Sequence, residues 1–331
     1  MYLKIHLATR TYRAHLVSKP MATGGEGAIY PLTLPEYGDC ALKLYRTRDK
    51  AREKRAKIMY MIANPPTSPH PNIRFCWPVA AATEESSGEF CGFIMLRAFP
   101  TSRDLTILEF YSPRKTIAEL FPDDEDRGWH NRFELNTNVG IRNRLKMLYN
   151  WVAAIEAVHN TGRFVLVDIK PENILVTSDG KISLIDMDSC QVAEKGALLF
   201  PCNALTPGYF PPDAKNCRHA NRPIDSSCDS FAIGCCIYAI LTGTHPYNNT
   251  RLLPPYNTGE YTTLGARVDA GLYHSGDKSR YVERIPSFDL HANADRLSPN
   301  LNMLFRYAFS GTKRPTMAQW RTVLKDEINR F

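Results

Sequence analysis

The stretch Val167-Asp168-Ile169-Lys170-Pro171-Glu172-Asn173-Ile174 sets a carboxylate, an ammonium and an amide close together, and Leu184-Ile185-Asp186-Met187-Asp188 adds two carboxylates one strand later. Phosphoryl transfer asks for such a set: a carboxylate near the attacking hydroxyl, a cation on the migrating phosphate, and carboxylate or amide ligands for Mg²⁺. An Asp-x-Lys-x-x-Asn loop followed by an Asp after the next strand supplies all of them on rigid strand ends.

The elements that must hold these residues are legible on either side. Before the loop, Arg142 to His159 carries Leu145, Leu148, Trp151, Val152, Ile155 and Val158 on one helical stripe, closed by Asn160-Thr161-Gly162. After it, short strands at Ile174 to Thr177 and Ile182 to Ile185 flank the turn Ser178-Asp179-Gly180. A buried helix is expected at Asp229 to Leu241 and a last one from Thr316. The first hundred residues alternate as strands at Tyr2 to Leu7, Ile29 to Leu34, Ala41 to Tyr45 and Phe90 to Leu96. One helix, Asp49 to Asn64, interrupts them and ends at Pro65-Pro66. The 113–139 and 248–297 segments are rich in Pro, Asn, Gly and charge and read as surface insertions or loops.

The chain has 331 residues, 44% hydrophobic and 23% charged, the balance of a globular protein with ample core. No apolar run reaches bilayer-spanning length, and Met1 to Pro20 lacks the apolar core of a secretory signal, so no membrane span and a cytoplasmic location are expected. Nine scattered cysteines without a CxxC pair fit reduced thiols. Net charge is +7, with Arg46, Arg48, Lys50, Arg52, Lys54, Arg55 and Lys57 clustered. An acidic or nucleic-acid partner is one reading of that run. A solvated helix face is the other, favoured because no aromatic residue interleaves it between Tyr45 and Tyr60.

The Asp168 loop and the Asp186 motif resemble the catalytic loop and metal-binding motif of the eukaryotic-type protein kinases. Other segments resemble that family in order. Ala22-Thr23-Gly24-Gly25-Glu26-Gly27-Ala28-Ile29 is similar to its glycine-rich loop, with Ala22 at the first glycine. Ala41-Leu42-Lys43 is similar to the strand whose Lys reaches the α/β-phosphates. Gly92 to Ala98 resembles the strand entering the interlobe hinge, and Thr206-Pro207-Gly208-Tyr209-Phe210-Pro211-Pro212-Asp213 the end of an activation segment. Asp213 is then expected to pair with Arg314, and Asp229 to tie down the catalytic loop. The resemblance covers roughly Ala22 to Lys325. Phe93 to Leu96, Tyr111-Ser112-Pro113 and Leu184 to Ser189 further resemble bacterial kinase-like proteins often fused to a C-terminal helix-hairpin-helix region, a region not found here.

The resemblance implies an α+β, two-lobed fold: a small antiparallel β-sheet lobe with one main helix over 1–97 and a larger, mostly helical lobe over 98–331. It implies ATP and Mg as cofactors and a protein substrate. Asp168 would be the catalytic base, with Lys170, Lys43 and Thr206 also catalytic; Asn173 and Asp186 would hold the metal. Ala22, Gly24, Gly25, Gly27 and Lys43 would meet the phosphates. Ile29, Ala41, Met95, Leu96, Ala98 and Leu175 would surround the adenine. Glu53 is expected to be the acidic partner of Lys43; the alternative is an exposed partner for Lys57 one turn on.

Three departures matter. Leu166-Val167 replaces the family's His-Arg; that Arg docks a phosphorylated activation loop, so its loss implies activity without activation-loop phosphorylation. Asp188 replaces the glycine of Asp-Phe-Gly, and Ala22 the first loop glycine. Because Lys43, Asp168, Asn173 and Asp186 persist, the sequence points to an active kinase, and Lys170 with Thr206 to Ser/Thr. The alternatives are a pseudokinase acting as a nucleotide-binding scaffold, or a small-molecule kinase. Against the latter stands the activation-segment motif.

Overall fold

The computed structural model describes residues 1–16, 19–108, 119, 123–310 and 313–331. Tyr111-Ser112-Pro113 and the first part of the 113–139 segment lie outside them. The described chain divides into two units: Met1–Ser68 with Arg74–Phe99 and Ser183–Asp188, and Pro69–Ile73 with Pro100–Ile182 and Ser189–Phe331. The Ser183–Asp188 segment, assigned from sequence to the larger lobe, thus clusters with the first unit.

The first unit is a seven-stranded sheet. Its strands are β1 (Tyr2–His6), β2 (Thr11–His15), β3 (Ala22–Thr23), β4 (Gly27–Leu34), β5 (Gly38–Tyr45), β7 (Pro78–Glu84) and β8 (Phe90–Leu96), in the order β2-β1-β7-β8-β5-β4-β3; β6 is the short strand Ile73–Phe75. All sheet neighbours pair antiparallel, with Lys43 opposite Ile29 on one side and Phe93 on the other. Glycine is required beside this central strand: a Cβ on Gly27 would meet the Leu44 carbonyl oxygen at 2.1 Å, and one on Gly92 the Lys43 oxygen at 2.0 Å. Leu3, Ile5, Leu34, Leu42, Ala80 and Ile94 form a fully buried cluster on the sheet. Helix α1 (Arg48–Ala63) starts at Thr47, whose hydroxyl accepts from the Lys50 amide at 3.2 Å, and packs on β7 and β8. Its buried stripe is Ala51, Lys54, Lys57, Ile58 and Met61.

The second unit is built round α5 (Ser227–Thr242), which is buried along its length from Cys228. Beyond α2 (Asp124–Arg132) come α3 (Asn138–His159), α4 (Ala214–His219), α6 (Leu264–Asp269), α7 (Pro299–Ser310) and α8 (Met317–Arg330). α3 packs on α8 and α5. The α8 start is a capping box in which Thr316 and Gln319 satisfy one another's backbone amides. Buried Arg144 on α3 donates to the carbonyls of Phe133, Leu108 and Ile240, so its charge sits against peptide dipoles.

Two expectations from sequence are corrected. The 248–297 segment is not a surface loop: it forms the strand pair Thr250–Leu252 and Val282–Arg284 plus α6, and buries Val268, Leu272, Tyr273 and Leu290. The described end of the 113–139 segment likewise buries Trp129, Phe133 and Leu135. Among the described residues no helix is long and apolar enough to cross a membrane, and no disulfide links the cysteines.

Candidate active site

In the second unit, strand Phe164–Val165 leads out of α3 into a loop that cannot wander. Asp229, fully buried at the start of α5, accepts from the amides of Leu166 at 2.8 Å and Val167 at 2.7 Å, and meets His159 Nε2 at 2.8 Å. Those bonds hold Val167 at φ 66°, a strained position for a β-branched residue. The turn aims Asp168 at its neighbours. Its Oδ1 accepts from the Thr206 hydroxyl at 2.6 Å, and its Oδ2 lies 3.1 Å from Lys170 Nζ. Lys170 also donates to Thr206 Oγ1 at 3.1 Å, and Asn173 Nδ2 donates to the Asp168 carbonyl at 2.8 Å. Asp168, Lys170, Asn173 and Thr206, singled out from sequence, are therefore one hydrogen-bonded group. Leu175, on strand Ile174–Val176, belongs to this unit and pairs with Asp104.

Val167 turns into an apolar cluster with Cys202, Phe210, Ala214, Ile224 and Cys228. This ties the Asp168 loop to the segment that carries Thr206 by packing. Asp213 meets Arg314 through two bonds, 2.9 and 2.5 Å, as expected.

The first unit holds the other candidates. Lys43, only 8% exposed, donates to both oxygens of buried Asp188 at 2.8 Å and lies 3.8 Å from Asp186. Burial works against its charge, but Asp188 and then Asp186 more than offset it and hold the ammonium above its ordinary pKa. Asp186 sits at φ 52° with its side chain half exposed. Ala22 pairs with Ile29, and Ala41 with Met95, so the strand residues named from sequence lie in one sheet. Leu96 pairs with Cys40, and Ala98 is half-buried beyond the strand end. The glycine-rich turn is tied back by Arg46, whose amide donates to the Glu26 carbonyl at 2.9 Å and whose guanidinium donates to the Gly24 carbonyl at 2.8 Å. Gly24 and Gly25 are exposed with open space where a Cβ would stand.

Glu53 does not meet Lys43. It faces outward and binds Lys50 at 3.0 Å, because helical spacing puts Lys54, not Glu53, on the stripe with Ala51, Ile58 and Met61. Lys54 Nζ lies 3.0 Å from Glu26 Oε1, and Lys50 3.5 Å from the same oxygen. Burial would raise the Glu26 pKa, but Lys54 and then Lys43 more than offset it and lower it. Glu26, Lys54 and Arg46 are thus residues not singled out from sequence for the site, and Asp188, singled out there as a second carboxylate beside Asp186, was not expected to hold Lys43. The α1 stripe carried a signal for Lys54; nothing local marked Asp188 as the partner of Lys43. Four members of the basic run have carboxylate partners: Arg48 and Arg52 bind Glu84 and Glu89 on the neighbouring hairpin, Lys50 binds Glu53, and Lys54 binds Glu26.

A protein kinase domain model matches residues 109–262. The chain is similar to Protein kinase YegI of Escherichia coli O157:H7, 26% identical over 97% of this chain and 46% of the relative. It is also similar to Serine/threonine-protein kinase mrck-1 of Caenorhabditis elegans, 33% identical over 32% of this chain and 7% of the relative. The solved ROP18 kinase domain, in complex with AMP-PNP and sucrose, superimposes with a TM-score of 0.59 at 16% identity, covering 100% of this chain and 87% of that one. Together these likenesses support a place for the chain in the protein kinase superfamily. Its fold is the two-lobed α+β kinase fold. The chain spans less than half the length of the curated relatives just described.

Proposed function

We propose that this kinase-family chain transfers the γ-phosphate of ATP to Ser or Thr hydroxyls of a protein substrate, without prior phosphorylation of its activation segment. The observation that carries the reading is the Asp168 group. A carboxylate that already accepts a hydroxyl proton bond from Thr206 keeps further lone pairs for an incoming hydroxyl. Lys170 beside it supplies a fixed cation.

The donor set suits a hard cation: the Asp186 carboxylate and the Asn173 amide are oxygen ligands of the kind Mg²⁺ takes. Mg²⁺ bound there would neutralise charge on the phosphate oxygens. Lys43 and the glycine-rich turn orient the phosphates. Asp168 orients the substrate hydroxyl and accepts its proton as the new O–P bond forms and the β–γ bridge breaks, with ADP leaving. Lys170 offsets the charge that develops on the transferred group. Ser/Thr preference is supported by the Lys170–Thr206 bond, and independence from phosphorylation by Val167, whose apolar packing stands where an Arg would await a phosphate.

A nucleotide-binding scaffold is the second reading, favoured by the two bonds with which Asp188 occupies Lys43. An acidic or nucleic-acid partner for α1 is less supported, since Arg48, Lys50, Arg52 and Lys54 have carboxylate partners within the chain. The deciding experiment follows labelled γ-phosphate from Mg-ATP onto the protein and onto basic protein acceptors, with Asp168→Ala alongside. Label on Ser or Thr that vanishes in the variant supports the kinase. Nucleotide binding without label on any acceptor supports the scaffold.

A further inference from the structure

We propose that Glu26 and Lys54 are positioning residues for the nucleotide phosphates, joining the glycine-rich turn to α1, while Asp188 takes over from a helix carboxylate the task of holding Lys43. The inference rests on the protein-kinase reading of this site and says how its lysine is set.

The inner face of α1 offers no carboxylate at this place; it offers Lys54, whose side chain is 10% exposed. A buried ammonium is tolerated only beside an opposite charge. Glu26, in the glycine-rich turn, provides it, with its Oε1 3.0 Å from Lys54 Nζ. Lys43 in turn is satisfied by Asp188, at the end of the same motif that carries Asp186. Two cations and two anions thus form two pairs, Lys54–Glu26 and Lys43–Asp188, in place of one lysine–helix pair. The physical consequence is a change in what α1 controls. Moving α1 would pull on the phosphate-facing turn through Glu26, and would leave the pair that orients Lys43 intact. Glu26 would also be an unwelcome negative charge beside a polyphosphate unless Lys54 and Lys50 neutralised it.

The test is a charge reversal read on affinity. Glu26→Lys, Lys54→Glu and the double variant are titrated with Mg-AMP-PNP and, separately, with adenosine. Each single reversal is expected to weaken Mg-AMP-PNP at least tenfold and adenosine less than threefold. The double variant should regain most of the loss, and Glu26→Asp should stay near wild type. A merely structural role would weaken both ligands alike. The inference is overturned if the single variants bind Mg-AMP-PNP as wild type does, if adenosine falls in parallel, or if the double variant is no better than the worse single one. Glu26→Gln, which keeps size, replaces Glu26→Lys should the latter not fold, with the same tenfold expectation. A wild-type chain that binds no Mg-AMP-PNP overturns the kinase reading itself, and the inference with it; intact wild-type binding with indifferent variants sinks the inference alone.

Discussion

The group around Asp168 and the group around Lys43 are assembled in different ways. Three of the four residues at Asp168 come from one loop, and the fourth, Thr206, lies 38 positions on. Lys43 draws its carboxylate from 145 positions away, and Lys54 is matched by a glycine-turn residue from another element. A loop whose members lie within a few residues keeps its geometry through backbone bonds such as those from Leu166 and Val167 to Asp229. A pair made between elements far apart in the chain depends on which charges packing brings together, so its carboxylate can come from another element while the lysine stays. The first arrangement tolerates little change of residue type. The second tolerates relocation, provided each buried charge keeps a partner.

The contrast can be broken most severely at Asp168. Asp168→Asn should lower the rate of transfer by about 10²–10⁴-fold with nucleotide affinity little altered, since a base acts in the transition state. A fall in affinity equal to the fall in rate would mean that the loop serves binding instead. Next comes Asp188→Asn, which leaves buried Lys43 beside a neutral amide. A loss on the order of 3 kcal/mol is expected in urea unfolding of the purified chain, and a change under about 1 kcal/mol would show that Asp188 is dispensable there.

A pH series separates the two units. In the second, buried His245 and half-buried His274 are held down to about 3, in both cases first by loss of solvation. Tyr238 sits between His274 and His291, at 2.8 and 2.7 Å, and suits neutral rings. The unfolded chain binds protons at these imidazoles below about 6.5 while the folded chain does not, so stability is full above that pH and falls as pH drops toward 3. Each imidazole should withdraw on the order of 2 kcal/mol by pH 5. The Glu26–Lys54 pair loses stability in the same direction but in a lower window: a lowered carboxylate pKa keeps its contribution down to about pH 4.5 and loses it as pH falls further. Hydrogen exchange at pH 5 should therefore speed up in α5 before β5, and equal acceleration in both would contradict the assignment. The smallest effect belongs to Glu53, whose side chain is 53% exposed. Glu53→Ala should change stability by less than about 0.5 kcal/mol and leave nucleotide affinity unchanged; a tenfold loss of affinity would restore it to the site.

How far each part could be read in advance follows from the range of the forces involved. α5 announces itself because one apolar run is buried on every side, and α8 because Thr316 and Gln319 cap it locally. β2 and β7 were missed: Thr11–His15 is a half-exposed edge strand, and Pro78–Glu84 opens on proline and runs through three alanines with weak strand preference. The 248–297 segment reads as loop because its buried residues are widely spaced among polar ones, with no period to betray them.

By itself the sequence determined the grouping of Asp168, Lys170 and Asn173, since they are spaced along one loop and their bonds are nearly local. It determined the strand that carries Lys43 and the helix that follows. Only the tertiary structure decided which carboxylate meets that lysine. Glu53 and Lys54 are adjacent in the chain, yet a turn of about 100° per residue sends one to solvent and the other to Glu26. Which charge is buried, and beside what, is a property of packing between elements that no run of residues contains.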